Sequence, residues 1–142
     1  MASGAVIAVW VAHALAWAAG IGLSVVPVYR GATTRATSPG EPPAETIMHS
    51  ATLIEVNGAH AILLLLIPVL LTGMAVLAMH FAGQRAILRR CLLWLPAIVL
   101  LGFCVVSMLS IGAIYLPAVV ALLCGAAMDA VGGGRTRAGQ VR

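Results

Sequence analysis

The chain consists of long apolar runs separated by three short segments that hold every charged residue. Those segments are residues 30–55, 85–90 and 129–142. Between the last two, the 38 residues from 91 to 128 contain no Asp, Glu, Lys, Arg or His. A run of this length is enough for two crossings of a bilayer, since each crossing needs about 20 apolar residues.

The pattern predicts four membrane-spanning helices at residues 5–29, 58–81, 91–110 and 114–131. In lipid the backbone groups must bond to one another, which makes helices the expected structure of such spans. We therefore expect an all-α fold. It is a four-transmembrane-helix bundle forming a single integral membrane domain over residues 1–142, with a long first extracytoplasmic loop and short second and third connections.

The segments between the spans differ in character. Residues 30–57 form the outer loop, in which residues 33–43 have the Thr, Ser, Gly and Pro content of extended chain. Residues 44–57 have the spacing of a short amphipathic helix, with an extended segment as the alternative. Residues 132–142 form a basic cytoplasmic tail, in which the three glycines at 132–134 predict the end of the last helix and a disordered terminus.

The second, third and fourth spans each contain a proline. Pro117 is expected in the first turn of the fourth span, where its missing N–H costs little. Pro68 and Pro96 are interior and are expected to bend their helices.

Composition excludes a soluble domain. Hydrophobic residues make up 62% of the chain and charged residues 8%, and the mean hydropathy is +1.08. The net charge of +4 results from eight Arg against four acidic residues. The Arg lie at the ends of apolar runs, which favours anionic lipid head groups as partners over nucleic acid. The three cysteines have no metal or redox spacing and are expected to act as small hydrophobic residues.

The basic residues predict the orientation. Arg85, Arg89 and Arg90 lie in the middle link without any acid, whereas the first loop has two Arg and three Glu. The positive-inside rule places the middle link and both termini in the cytoplasm of a multi-pass cell-membrane protein. Tyr29 and Tyr115 are expected at the outer membrane interface, and Asp129 is expected to form a half-exposed pair with an Arg of the middle link.

Small residues recur every four positions along the first span and form a smooth stripe. Such a stripe lets helices approach closely. It predicts packing within the bundle, with a homo-oligomer or partner-subunit interface as the alternative. The stripe comprises Gly4, Ala8, Ala12, Ala16, Gly20 and Ser24.

His13 is the ionisable residue well inside the first span, with Trp10 and Trp17 on the same flank. An intramembrane ionisable group is a candidate functional residue. His13 is interpreted first as a neutral imidazole that donates to a backbone carbonyl, and otherwise as a proton carrier or as a haem or metal ligand.

Haem ligation by two histidines needs both at similar depth. At about 1.5 Å per residue, His13 is about 12 Å deep, His80 lies almost at the inner surface and His60 lies near the opposite face. No pair matches, so no cofactor is expected.

A polar cluster lies where the outer loop enters the second span. Carboxylates and imidazoles together could bind a divalent cation or serve as acid and base. The spacing matches no zinc motif, and we expect no metal site. The alternative, capping of a helix N-terminus, is favoured, with a ligand-facing role left open for Glu55 and His60. The cluster comprises Glu45, His49, Glu55, Asn57 and His60.

Residues 52–58, which lead into the apolar run 62–71, and residues 110–117 resemble short four-helix integral membrane proteins encoded by high-GC bacteria. The resemblance covers about a fifth of the chain and implies topology alone. Four spans in a short chain are also similar to the small multidrug resistance transporters, but the first span here lacks the membrane-embedded glutamate of that family.

These features predict a non-enzymatic accessory or scaffolding subunit of a membrane complex, which docks through its smooth first helix and outer loop. One alternative is an oligomeric transporter or channel for a small solute or ion, with His13 as the proton-responsive group and an outer mouth at Glu55 and His60. Another is a membrane redox subunit associated with haem or quinone.

Overall fold

A computed structural model describes residues 3–34, 46–81, 86–108 and 111–138. The chain forms α1 (Ser3–Val25), β1 (Tyr29–Thr34), β2 (Thr46–Ala51), α2 (Leu53–Asn57), α3 (Ala59–Phe81), α4 (Ala86–Val106) and α5 (Gly112–Ala138). The four long helices, α1, α3, α4 and α5, are each long and apolar enough to cross a membrane. The predicted all-α four-helix bundle is confirmed.

The long helices run alternately up and down and close into a ring in which each contacts two others. α1 packs between α3 and α5, and α4 closes the other side. We call the end that carries β1, β2 and α2 the hairpin end, and the end that carries Arg89, Arg90 and Asp129 the arginine end. The bundle interior is filled chiefly by Leu93, Leu100, Tyr115 and Leu122, whose side chains are fully buried.

The first span ends four residues earlier than predicted. α1 stops at Val25 because Pro27 disfavours helical geometry at the residue before it and has no N–H to give. Tyr29 therefore begins β1 rather than ending the helix.

α4 begins five residues earlier than expected, so Arg89 and Arg90 lie in its first turns. It ends at Val106, followed by a turn in which the Gly112 N–H donates to the Ser107 carbonyl at 2.8 Å. Position 85 lies outside the described residues.

The expected helix stop at the three glycines is wrong, since α5 continues to Ala138. Glycine lowers helix stability but ends a helix only where it adopts left-handed geometry, and Gly58 is the one described residue with positive φ. Pro117 is also not in the first turn. α5 starts at Gly112, so the missing N–H of Pro117 leaves the Ala113 carbonyl without its helical donor.

The first loop contains an antiparallel strand pair that hydropathy did not predict as such. β1 pairs with β2 in a register that sets Tyr29 opposite Ala51 and Thr34 opposite Thr46. The amphipathic helix expected over 44–57 is confined to Leu53–Asn57, and the extended alternative applies to Thr46–Ala51. Residues 35–45, which include most of the Pro-rich stretch and Glu45, lie outside the described residues.

The small-residue stripe faces α5 and the bundle interior. Ala12 and Ala16 are fully buried. A Cβ placed on Gly125 of α5 would lie 2.9 Å from Val9 Cγ2 and 3.4 Å from Ala8 Cβ, so the two helices approach closely at this point. The stripe is therefore used within the chain, against its own last helix.

Candidate functional site

The polar site of the bundle is centred on His13, near the middle of α1. Its Nδ1 lies 3.0 Å from Thr72 Oγ1 on α3, and its Nε2 accepts from Trp17 Nε1 at 3.1 Å. The expected bond to a backbone carbonyl is wrong. α1 and α3 pack closely enough for the Thr72 hydroxyl to reach the ring.

The bonds define the tautomer. An indole N–H can only donate, so Nε2 of His13 must be its unprotonated acceptor. Nδ1 then carries the proton and donates to Thr72, whose hydroxyl donates onward to the Pro68 carbonyl at 2.9 Å. Each polar atom in the network has a partner, and the imidazole is neutral in this arrangement.

Trp10 extends the site along the contact between α1 and α3. Its ring meets the ring of His13 edge to face at 6.3 Å and that of His80 at the same distance. Trp17 meets His13 at 6.4 Å. Four rings thus form a ladder from the arginine end to mid-bundle, in the order His80, Trp10, His13, Trp17.

The sequence pointed to His13, Trp10 and Trp17 as neighbours, but not to Thr72 or His80. Thr72 could have been noticed as a hydroxyl residue deep in the second span. Its partnership with His13, and the approach of His80 to Trp10, depend on how α1 and α3 are rotated against each other, which one sequence does not contain.

The polar cluster of the first loop does not assemble into one site. Glu55 and Thr52 form a capping box on α2. The Glu55 Oε2 accepts from the Thr52 N–H at 2.6 Å, and the Glu55 N–H donates to Thr52 Oγ1 at 3.3 Å. The Thr52 backbone hydrogen bond, followed by that of the side chain, lowers the pKa of the Glu55 carboxyl.

The other members of the cluster are separate. Asn57 Nδ2 donates to the Leu53 carbonyl and to Tyr29 Oη, at 3.2 and 3.4 Å. His49 lies on β2 opposite Gly31, and His60 is exposed in the first turn of α3. Among the described residues, no three His, Cys, Asp or Glu side chains converge as metal ligands.

Asp129 pairs with Arg89, as expected. Arg89 Nη2 lies 2.9 Å from Oδ1 and Nε donates to Oδ2 at 3.2 Å, so the pair is bidentate. It is more buried than the half-exposed pair that was expected, with 21% and 9% of the two side chains exposed. Arg90 Nη2 donates to the Ala130 carbonyl at 3.2 Å and adds a second link between α4 and α5.

The ring of Tyr115 does not face outward, as was expected of a residue at the membrane interface. Its side chain is fully buried among α1, α4 and α5, with Phe103 edge to face at 6.2 Å. Position along the helix predicts depth, but it does not predict the direction in which the ring points.

A shallow groove of about 160 Å³ opens between α1 and α3 toward the hairpin end. Trp17, Gly20 and Ser24 line one wall, and Leu65, Leu66 and Val69 line the other. The groove lies in the part of the surface that lipid would cover.

No known protein family, no curated protein and no solved structure matches this chain.

Proposed function

We propose that this protein is a non-enzymatic accessory or scaffolding subunit of a membrane complex, which docks through the strand pair at its hairpin end. The observation that carries the proposal is the isolation of β1 and β2. The two strands pair with each other and have no extensive contact with any helix of the described chain.

An isolated two-stranded hairpin is marginally stable in water. Both outer edges of this pair present backbone groups that a further strand could bond. A partner subunit that covers the pair would supply the missing stabilisation. The smooth face of α1 is occupied by α5, so docking is assigned to the hairpin alone.

The register provides a clean test. Because Tyr29 and Ala51 are opposite each other, four Gly or Ser residues can replace residues 30–50 without displacing α1 or α2. We expect native mass spectrometry of the wild-type protein, extracted in mild detergent, to detect a complex. The variant in which residues 30–50 are replaced should be monomeric with unchanged helicity. A strictly monomeric wild type, or a replaced variant that keeps its partner, would refute the proposal.

The proposed orientation puts the arginine end in the cytoplasm. Arg89, Arg90 and the basic end of α5 lie at that end, and positive residues are retained on the cytoplasmic side. In a chain freed of its native cysteines, a cysteine at Ser50 should react with an impermeant maleimide added outside intact cells, and one at Ile87 should not. Equal labelling of both positions would contradict the orientation.

A second candidate function, proton-responsive transport of a small solute or ion, is favoured by the network around His13. Protonation of Nε2 would set two N–H groups face to face, so Trp17 would have to leave the ring. A charge-linked movement at mid-membrane is what proton coupling requires.

Proteoliposomes that contain a pH-sensitive dye test this candidate. His13→Ala should abolish proton-coupled flux. Ser24→Ala, which removes a hydroxyl of the same helix that bonds to the Ile21 carbonyl and not to the His13 network, should leave it unchanged. Unchanged flux in His13→Ala would eliminate the role of His13.

A further inference from the structure

We propose that the groove between α1 and α3 is a binding site for one acyl chain of an ester phospholipid, whose carbonyl oxygen accepts a hydrogen bond from Tyr115. The proposed lipid site is formed by this polypeptide alone, and it requires only that the bundle lies in a bilayer. It is independent of the docking partner and of His13.

The first observation is the hydroxyl of Tyr115. It is buried, and no described residue gives it a hydrogen-bond partner. A buried hydroxyl without a partner is unfavourable, and hydrocarbon holds no water that could serve as one. An acceptor from outside the described chain would remove this cost.

The second observation is the position of that hydroxyl. It lies 3.5 Å from where a Cβ on Gly20 would stand, and that same point is 3.9 Å from the Leu65 carbonyl. Gly20 and Leu65 both line the groove. The hydroxyl therefore lies directly behind the groove wall, at the place where the wall has no side chain.

The chemistry of the groove identifies the occupant. Its surface is almost entirely apolar and it opens on the lipid-facing side, where Ile21 and Ile62 are exposed. Gly20 lies about 8 Å from the hairpin end of α1, and Tyr115 lies in the first turn of α5. That depth is close to the boundary between hydrocarbon and head groups, where phospholipid ester carbonyls lie, so the acyl chain would run inward from it toward Trp17.

Two phospholipids that differ only in the ester carbonyl provide the test. Purified, delipidated protein is titrated in detergent with a dioleoyl phospholipid and with the matching diether lipid, and bound lipid is counted by native mass spectrometry. We expect the ester lipid to bind about fivefold more tightly to the wild type, which is the effect of one net hydrogen bond. In Tyr115→Phe the ratio should fall to about one.

Thermal unfolding gives a second test. If Tyr115 only supported the fold, the effect of Tyr115→Phe on Tm would not depend on lipid. Without lipid, Tyr115→Phe should match or exceed the wild type in Tm, because the variant lacks the unpaired hydroxyl. With ester lipid the wild type should gain more in Tm than the variant. A Tm loss in the variant that is independent of lipid would overturn the proposal.

Two glycine variants localise the site. A Cβ at position 20 meets only ordinary van der Waals contacts, and one at position 22 meets nothing within 4 Å. Both variants should therefore fold. Gly20→Ala should weaken binding of both lipids, because it covers the hydroxyl and narrows the groove, and Gly22→Ala should bind as the wild type does.

Three results would overturn the assignment. They are equal binding of ester and ether lipids to the wild type, unchanged lipid binding by Gly20→Ala, and displacement of the ester lipid by an equimolar prenylated quinone, which would make the quinone the preferred occupant.

Discussion

At the scale of single residues, the Thr72 hydroxyl determines the chemical state of the histidine in the middle of the bundle. It accepts from His13 and donates to a carbonyl of its own helix. The Trp17 indole N–H donates to the other imidazole nitrogen. With both ring nitrogens engaged, the neutral imidazole is stabilised, since it has all its hydrogen bonds without a charge in the membrane.

Thr72→Val keeps the shape of the side chain and removes the acceptor of His13. We expect a loss of about 1 kcal/mol in the free energy of unfolding, the typical effect of one hydrogen bond between membrane helices. Unfolding in a denaturing detergent mixture measures it. Ser24→Ala is the control. Among the described residues, the Ser24 hydroxyl bonds to the Ile21 carbonyl of its own helix and to no other group, so its removal should cost less. If Ser24→Ala lowered the free energy of unfolding as much as Thr72→Val does, the role of Thr72 would be contradicted.

The stability of α2 is expected to depend on pH through the Glu55 carboxylate. Its pKa is lowered in the folded chain by the hydrogen bond from the Thr52 N–H. A carboxyl with a lower pKa when folded adds stability at pH values above its unfolded pKa, and that stability is lost as the pH falls through the folded value. NMR titration should show the Thr52 amide signal shifting with a midpoint below the ordinary glutamate value of 4.5. In Glu55→Gln this transition should be absent, and a wild-type midpoint above 4.5 would contradict the capping box.

At the scale of elements, close backbone approaches set where the helices can turn and pack. α4 reaches α5 through a turn so tight that a Cβ on Gly112 would collide with the Cys104 carbonyl oxygen and the Ser107 backbone. Gly125 similarly brings α5 against the small residues of α1. Glycine is required at these positions by lack of space, and not by a left-handed backbone, since neither has a positive φ.

Gly112→Ala is therefore expected to destabilise the bundle by about 2 kcal/mol or more, because a rigid backbone lies where the methyl group would go. Gly102→Ala is the matched control. Nothing lies within 4 Å of a Cβ there, and replacing a mid-helix glycine should stabilise by about 0.5–1 kcal/mol. Equal effects of the two substitutions in detergent unfolding would show that the α4–α5 turn is looser than described.

Hydropathy alone located the four long helices, because lipid imposes a length and a composition that no soluble helix needs. Hydropathy could not locate β1 and β2. Residues 35–45 separate the two strands in the sequence, and neither strand has an alternating pattern of polar and apolar residues. Hydropathy also gave the wrong direction for the Tyr115 ring, because residue number indicates depth along a helix, whereas the direction of a side chain depends on how the helix is rotated. The partner of His13 was missed for the same reason.

At the scale of the whole molecule, the bundle is joined differently at its two ends. At the arginine end, α4 and α5 are linked by the bidentate Arg89–Asp129 pair and by the Arg90 bond to the Ala130 carbonyl. Toward the hairpin end the two helices are joined by the tight turn at Gly112. α4 and α5 thus behave as one unit, linked at both ends.

A double-mutant cycle tests this unit. Arg89→Gln and Asp129→Asn should each lower the free energy of unfolding by about 1–2 kcal/mol, because each leaves a partly buried charge without its counterion. The double variant should lose less than the sum, with a coupling of about 1 kcal/mol. Arg30→Gln, which removes an exposed charge on β1, serves as the control and should have almost no effect. Strict additivity would mean that the pair makes no contribution.

The position of α1 between α3 and α5 has a consequence for biosynthesis. Translation makes α1 before α5, so the face of α1 that carries Ala12 and Ala16 stays uncovered until the ribosome has made α5. A nascent chain that stops before Gly112 would also hold Arg89 without its counterion. Completion of the bundle is thereby tied to the synthesis of α5, and products that stop before it would present surfaces by which membrane proteases could recognise them.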